Sequence, residues 1–324
     1  MNAGKGELQP FHNFMKILVT GGAGFIGSHI VEHFQGKAEV RVLDNLRSGF
    51  KRNLTGLQHE FIEASILDRD AVRCAVQGVD FIFHLAAMIS VPESMAKPIE
   101  CNEINTQGTL IVLEEAAKAG VKKLVLSSSA AIYGDNPVVP KIETMFPEPK
   151  SPYAITKLDG EYYCKMFTDE KRLQTACLRY FNVFGPRQDP KSPYAAAVPI
   201  FIHHALHHEP ITIYGDGEQT RDFIFVKDIV AANAYFATQS PAAGVFNIAY
   251  GEKITINELC TAIYKLTGSK SEIIHAPERT GDVRHSMASV DKIQAAGFVP
   301  GGNLFDGLKT TVDFFRAGHG ESRR

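Results

Sequence analysis

Residues 16–30 read KILVTGGAGFIGSHI. Ile17, Leu18 and Val19 run without polar interruption into a glycine-rich turn, and an apolar helical pattern comes at once after it. A short apolar run of this kind reads as a strand buried on both faces of a parallel sheet. Gly21, Gly24 and Gly27 form GxxGxxG. The first glycine permits a tight turn, the second lets the backbone approach a pyrophosphate, and the third lets helix pack against strand. Phosphate charge then rests against the amides and the positive end of the helix.

The pattern repeats outward from this stretch. KILVTG, VRVLDN, EFIEAS, DFIFHLAA, KLVLSSS and TACLRYFN read as strands. Between them FIGSHIVEHFQ, LDRDAVRCAVQ, NTQGTLIVLEEAAKAG and SPYAITKLDGEYYCKMFTDEKR read as helices. Strands alternating with helices predict an α/β fold, a Rossmann-type doubly wound parallel sheet. After residue 181 proline-rich and polar loops separate shorter elements, as in a smaller α/β substrate-binding domain closing over a cleft. The expected division is a disordered extension over 1–14, a dinucleotide domain over 15–181 and a substrate domain over 182–324. The chain is expected to return to the first domain around 223–249.

Bulk properties narrow the function. The 324 residues are 44% hydrophobic and 22% charged, with a formal net charge of −2. That balance gives no electrostatic reason to expect nucleic acid or an anionic membrane as partner. No apolar run approaches the ~20 residues needed to span a bilayer, and residues 1–14 lack a signal-peptide core. The five cysteines are scattered and never form CxxC, which argues against a disulfide framework and fits a reducing cytoplasm. HHALHH, His203 to His208, has metal-ligand spacing on a helix, but no carboxylate or cysteine accompanies it. A solvated helix face is expected there, and no metal site.

Asp44 closes the second strand at VLDN, where an acid binds both hydroxyls of an adenosine ribose and repels a 2′-phosphate. NAD is therefore the expected cofactor, although Arg47 nearby would soften the rejection of NADP. SPYAITK places Tyr153 and Lys157 on one face of a helix. A tyrosine is a poor base at neutral pH, but a nearby ammonium and an oxidised nicotinamide favour the phenolate. It can then take a proton from a substrate hydroxyl as hydride leaves. The hydroxyls of SSSAAIYG, Ser127 to Gly134, supply a partner for the same substrate oxygen.

Taken together, these motifs resemble the extended short-chain dehydrogenase/reductase family, in particular its nucleotide-sugar epimerases and dehydratases. The resemblance runs from Met15 nearly to the C-terminus. It includes HLAA (His84–Ala87), NTQGT (Asn105–Thr109), RYFNVFGPRQ (Arg179–Gln188), DGEQTRDFIFVKD (Asp216–Asp228) and RTGDVRHS (Arg279–Ser286). It implies Ser129 as the catalytic serine, Tyr153 as base and Lys157 as the cation orienting ribose and phenolate. It further implies a cofactor set of Phe25, Ile26, Asn45, Ser65, Ile66, Leu85, Ala86, Ala87, Asn105 and Tyr180 beside the glycines and Asp44. Asn182, Arg221 and Arg279 are implied diphosphate ligands, Asp282 a ribose ligand and Tyr214 a uracil neighbour. One departure is Ala64-Ser65, where the family often has Gly-Asp beside the adenine amino group. A homodimer is also implied, paired through the helices carrying Asn105 and Tyr153. Ile111, Leu113, Tyr162 and Met166 are candidates for its apolar face or for packing on the sheet.

Related dehydratases carry Asp-Glu directly after the catalytic hydroxyl, and related decarboxylases keep a glutamate there. This chain has Ala130 and Ala131, and methyl groups cannot protonate a leaving hydroxide. Oxidation and re-reduction at one carbon remains, which is epimerisation. Relatives restricted to glucose and galactose typically have tyrosine at the position of Ser286. With Ala196 as a second small wall and Ile89 a larger one, the expected substrates are UDP-GlcNAc and UDP-GalNAc, with UDP-Glc/UDP-Gal as weaker ones. A UDP-glucuronate 4-epimerase and a non-catalytic NAD-binding regulator are the rival expectations.

Overall fold

The fold is given by a computed structural model that describes residues 14–191, 196–278 and 284–318. Residues 1–13 of the expected extension, and Arg279 and Asp282, lie outside the described residues. In chain order the first half contains β1 (Met15–Thr20), α1 (Phe25–His33), β2 (Ala38–Leu43), β3 (Glu60–Ile62), α2 (Arg69–Ala75), β4 (Phe81–His84), α3 (Val91–Ala96), α4 (Pro98–Asn102), α5 (Gly108–Lys118), β5 (Lys123–Ser129), α6 (Pro152–Asp169) and β6 (Gln174–Tyr180). The second half adds β7 (Asn182–Phe184), α7 (Ala197–His207), β8 (Ile211–Tyr214), β9 (Thr220–Arg221), β10 (Phe223–Phe225), α8 (Val226–Thr238), β11 (Gly244–Ile248), β12 (Ile254–Thr255), α9 (Ile256–Thr267) and β13 (Ile273–Ala276). Two further helices, α10 (Asp291–Ala295) and α11 (Leu304–Arg316), complete the order.

Seven strands form one parallel sheet in the order β11-β6-β5-β4-β1-β2-β3. Alternate side chains of each strand point to opposite faces, and both faces are covered. Ile17, Val19, Val42, Phe83 and Val125 pack with Ile30 and Val31 of α1 and Ile229 and Phe236 of α8. Leu18, Leu43, Ile82 and Leu124 pack on the other face with Val72 of α2, Ile111 and Leu113 of α5, and Cys164 and Phe167 of α6. This explains why the strands read as unbroken apolar runs. The EFIEAS run yields only three strand residues, because β3 is an edge strand with a single partner, β2.

β11 lies parallel to β6 with Gly244 opposite Ala176, so the chain re-enters the main sheet after leaving it at Tyr180. The remaining strands form short pairs, β10-β7, β12-β9 and β13-β8, over a separate apolar cluster built around Phe184, Phe201, Ile213, Leu259 and Val312. No helix among the described residues is long and apolar enough to cross a membrane. His203 and His207 face each other on α7 with ring centres 4.2 Å apart. Among the described residues no group of three or more His, Cys, Asp or Glu is arranged to hold a metal ion.

Helix α6 is fixed to the sheet by charge as well as packing. Glu161 accepts from Arg179 Nε at 2.8 Å and Nη2 at 2.7 Å, and from Ser128 Oγ at 2.5 Å. Both side chains of the ion pair are 4% exposed. Burial works against the Arg179 charge, but the Glu161 carboxylate more than offsets it and holds the guanidinium above its usual pKa. Removing one member of such a pair strands the other. Glu161→Gln is therefore expected to cost about 3–5 kcal/mol of stability, read as a lower urea midpoint at unchanged slope. A loss below about 1 kcal/mol, the net worth of an ordinary hydrogen bond, would show that the charge adds nothing to packing.

Candidate active site

The carboxyl ends of β1, β2, β4 and β5 open onto one cleft edge, where ligands of doubly wound sheets sit. The glycine turn comes directly after β1. Gly21 has φ of +71°, and a Cβ there would stand 2.8 Å from the Ala86 amide nitrogen. At Gly27 a Cβ would meet the Gly21 carbonyl oxygen at 2.2 Å. Both positions thus require the bare backbone. Gly24 caps α1 without a side-chain bond, so the amides of the first turn, at Phe25, Ile26 and Gly27, have no acceptor within the helix. That cradle fits the pyrophosphate of a dinucleotide.

Asp44 is 7% exposed and accepts from the amides of Ala23 (2.9 Å) and Leu46 (2.7 Å). Burial raises its pKa against the pull of those amides. The carboxylate therefore orients the glycine loop as well as standing where a ribose would bind. Arg47 is engaged elsewhere: its Nη2 meets Glu93 at 2.8 Å and its Nη1 meets Glu100 at 2.5 Å. Asn45 Oδ1 accepts from the Arg47 amide, and Ser65 Oγ from the Leu67 amide. Ile66 is buried against Gly108 of α5.

The floor of the cleft is a buried polar chain. Thr20 Oγ1 accepts from the amides of Leu85 and Ala86 at 3.2 and 3.3 Å and lies 2.7 Å from His84 Nδ1. With both lone pairs of Thr20 in use, its hydroxyl donates to Nδ1, so Nε2–H donates to Thr109 Oγ1 at 3.0 Å. His84 is neutral, its pKa pushed down to about 3 by burial and then by Lys157. Asn105 accepts from the Met88 amide at 2.7 Å and donates to the Met88 carbonyl and to Thr156 Oγ1, both at 3.0 Å. It lies in a π-helical turn, Glu103–Gln107, just before α5; π-turns are frequent at functional sites. The segment Leu85–Met88 is thereby held beside both the glycine turn and α6.

Ser129 ends β5 and Tyr153 lies in the first turn of α6. Ser151 caps that helix by accepting from the Ala154 amide, with Pro152 next in the chain. The Tyr153 amide, which the helix cannot satisfy, donates to Ser94 Oγ of α3 at 3.3 Å. Burial raises the Tyr153 phenol's pKa, and the Ser129 hydroxyl opposes that rise. Lys157 Nζ stands 5.8 Å from the Tyr153 ring centre and donates to the Ser127 carbonyl at 2.8 Å. Burial lowers it to about 8, so it is still mostly protonated at neutral pH. Without a cofactor's positive charge, the site holds its tyrosine as a phenol. The Tyr180 hydroxyl instead meets Asn233 of α8 in the core.

In the second half of the chain, Asn182 donates through its amide and its Nδ2 to the Asp222 carbonyl. Arg221 donates to the carbonyls of Thr220 and Arg284, and the Ser286 amide donates to the Thr220 carbonyl at 3.1 Å. Ala196 caps α7, and Tyr214 ends β8, partly exposed. Sequence reasoning did not single out Ser94, Thr156, Glu161 or Asp222. All four act through backbone or buried partners distant in the chain, and no local motif marks such partners.

A glycine-cradled anion site beside a Ser-Tyr-Lys cluster defines a dinucleotide-dependent enzyme that moves hydride. Residues 17–249 match the NAD dependent epimerase/dehydratase family, and the chain belongs to it. NAD is its cofactor. The UDP-N-acetylglucosamine 4-epimerase of Methanobrevibacter ruminantium, solved with UDP-N-acetylmuramic acid, is 40% identical, with 94% of this chain and 99% of that one covered and a TM-score of 0.91. The UDP-glucose 4-epimerase of Thermotoga maritima, solved with UDP-glucose, is 42% identical, with 94% and 99% covered and a TM-score of 0.90. The UDP-N-acetyl-α-D-glucosaminuronate decarboxylase of Bacillus cytotoxicus is 34% identical, with 93% of this chain covered.

These contacts make two outcomes measurable. Because folded His84 stays neutral to about pH 3 while the unfolded side chain protonates near 6.5, acidification favours the unfolded state. Stability should fall by up to about 1.4 kcal/mol per pH unit below 6.5 from this group alone. Chemical denaturation between pH 6.5 and 5 should show a shallower slope in His84→Gln; an identical slope would refute the assignment. Separately, releasing Arg47 by Glu93→Gln with Glu100→Gln should raise NADP retention about tenfold, as a charge-assisted phosphate contact would. Cofactor retained after desalting reads this out, and adding Arg47→Ala should cancel the gain.

Proposed function

We propose that the protein is a UDP-hexose 4-epimerase that interconverts UDP-GlcNAc and UDP-GalNAc, with weaker action on UDP-Glc and UDP-Gal. The observation that carries this reading is the pair of alanines after Ser129. Ala130 and Ala131 open a short 3₁₀ turn, Ala130–Tyr133, whose Ala131 amide donates back to Ser129 Oγ at 3.1 Å. No acid stands at these positions to expel hydroxide or to manage a carboxylate, so the reaction that fits is reversible oxidation at a single carbon.

Held at the glycine turn beside Asp44, NAD would supply reversible hydride transfer at C4. Tyr153 takes the C4 hydroxyl proton as the C–H bond breaks and gives it back on re-reduction, so protons and electrons balance over the cycle. The Ser129 hydroxyl holds the same oxygen, and the Lys157 ammonium stabilises the phenolate. Between the two transfers the keto sugar has to turn over, and the wall it sweeps needs room. The small side chains of Ser286 and Ala196 support an acetamido sugar, as does the likeness to an N-acetylglucosamine 4-epimerase. The equally similar Thermotoga maritima enzyme is a glucose 4-epimerase, which supports the second substrate pair.

Ile111 and Leu113 pack in the core, whereas Ile99 of α4 and Ile155, Tyr162 and Met166 of α6 are exposed. These apolar side chains support a homodimer paired through that helical face.

Proton NMR of the purified protein with each nucleotide sugar tests the reading. The UDP-GalNAc anomeric signal should grow from UDP-GlcNAc faster than UDP-Gal from UDP-Glc. Ser286→Tyr should slow the acetamido pair at least about tenfold more than the other, the scale of one steric clash in a packed pocket. Equal losses on both pairs would overturn the pocket argument, and conversion of UDP-glucuronate alone would overturn the substrate.

A further inference from the structure

Asp222 is fully buried, with 0% of its surface exposed, and lies between β9 and β10. Its Oδ1 accepts from the Tyr250 amide at 3.1 Å, and its Oδ2 accepts from the amides of Gly251 at 3.1 Å and Ala288 at 3.2 Å. Its own carbonyl takes both donors of Asn182. One residue therefore joins the loop after β11, the start of β7 and the segment 284–290. We propose that Asp222 is the positioning residue of the substrate pocket: it clamps the segment bearing Ser286 against the catalytic sheet, and so sets sugar-nucleotide affinity and the choice between sugars.

Beside Asp222 the segment is held from two edges, and on the Thr220 edge the Thr220 amide donates to the Arg284 carbonyl at 2.9 Å and the Ser286 amide donates to the Thr220 carbonyl at 3.1 Å. It forms no named strand, only isolated bridges: Lys141 to Ala288 on one edge and Thr220 to His285 on the other. On the Lys141 edge the Lys141 amide donates to the Met287 carbonyl and the Ser289 amide donates to the Lys141 carbonyl, both at 2.8 Å. The Lys141 carbonyl also accepts from Asn247 Nδ2 at 2.9 Å, and Asn247 Oδ1 accepts from the Tyr133 hydroxyl at 2.7 Å. Tyr133 closes the turn that starts after Ser129. The pocket wall is thus referenced to the catalytic serine on one side and to Asp222 on the other. Burial pushes the Asp222 carboxyl up to about 7, with the three amides opposing, so at pH 8 it is largely ionised and all three amides have an acceptor.

The two sugars in this proposal rest on the proposed function, so the test includes a readout that does not. Asp222→Asn keeps the volume but turns an N–H₂ toward amides that need an acceptor. At pH 8, hydrogen exchange in peptides spanning 284–290 should accelerate about tenfold in D222N, as for loss of one to two buried charge-assisted hydrogen bonds. Exchange in β1, β4 and β5 should stay unchanged. KM for UDP-GlcNAc should rise about tenfold with kcat within about threefold, and the preference over UDP-Glc should shrink. Calorimetric Kd for UDP on the holoenzyme should rise in parallel, which decides the matter even if neither sugar is turned over. Unchanged exchange, or a fall in kcat at constant KM and Kd, would overturn the proposal. Asp222→Ser, which leaves room for water at the amides, takes the place of D222N if that variant does not fold, with the same expected shifts.

Discussion

The carboxylate of Glu161 is where helix α6, which carries Tyr153 and Lys157, meets strand β5, which ends at Ser129. It receives Ser128, the neighbour of Ser129, and the guanidinium of Arg179 on β6. Through it α6 has one register on β5 and β6, and that register decides where Tyr153 and Lys157 stand relative to Ser129. A hydrophobic interface alone tolerates small slips along a helix; a bidentate ion pair in a low-dielectric interior does not, because a displaced partner leaves an uncompensated charge. Arg179 also stacks over the Tyr133 ring, 4.8 Å from its centre, so the same anchor reaches the turn just after the serine.

A second group of buried polar contacts shapes the cofactor side. Thr20, His84 and Thr109 link β1, β4 and α5, while Asn105 links the segment after β4 to α6. Each is a neutral hydrogen bond, so the floor is rigid yet carries no charge to compete with a nicotinamide. The charged groups Lys157 and Asp44 stand outside this hydrogen-bonded floor. Tyr153, half-buried and 5.8 Å from the Lys157 ammonium at its ring centre, is a phenol whose ionisation a further positive charge would favour. Local structure and chemistry meet here: the same burial that orders the side chains sets their protonation.

The glycine turn after β1 and the nearness of Tyr153 to Lys157 were legible in the chain because both are local. GxxGxxG falls within one turn, and residues four apart on a helix share a face. Six of the sheet's seven strands were legible because strands buried on both faces have no choice but to be apolar, whereas β11 was not read as a strand. The brevity of β3 was not, since an apolar run carries no sign of lying at an edge. Arg47 shows the limit most clearly. Read alone it is a cation beside the ribose acid; folded, it is held by Glu93 and Glu100, two carboxylates that reach it only because α3 and α4 pack over the loop.

By itself, then, the sequence determined the periodicities and the chemical inventory: a doubly wound sheet, a glycine turn, a tyrosine with a lysine four residues on, and two alanines after Ser129. Only the tertiary structure decided which charges neutralise one another and which backbone segments share an anchor. Asp222 draws Tyr250, Gly251 and Ala288 to one carboxylate, and Glu161 finds Arg179. Hydrogen bonds and ion pairs act over a few ångströms of space, whereas a sequence records only order along the chain; contacts that span tens of residues exist for it only after the chain has folded.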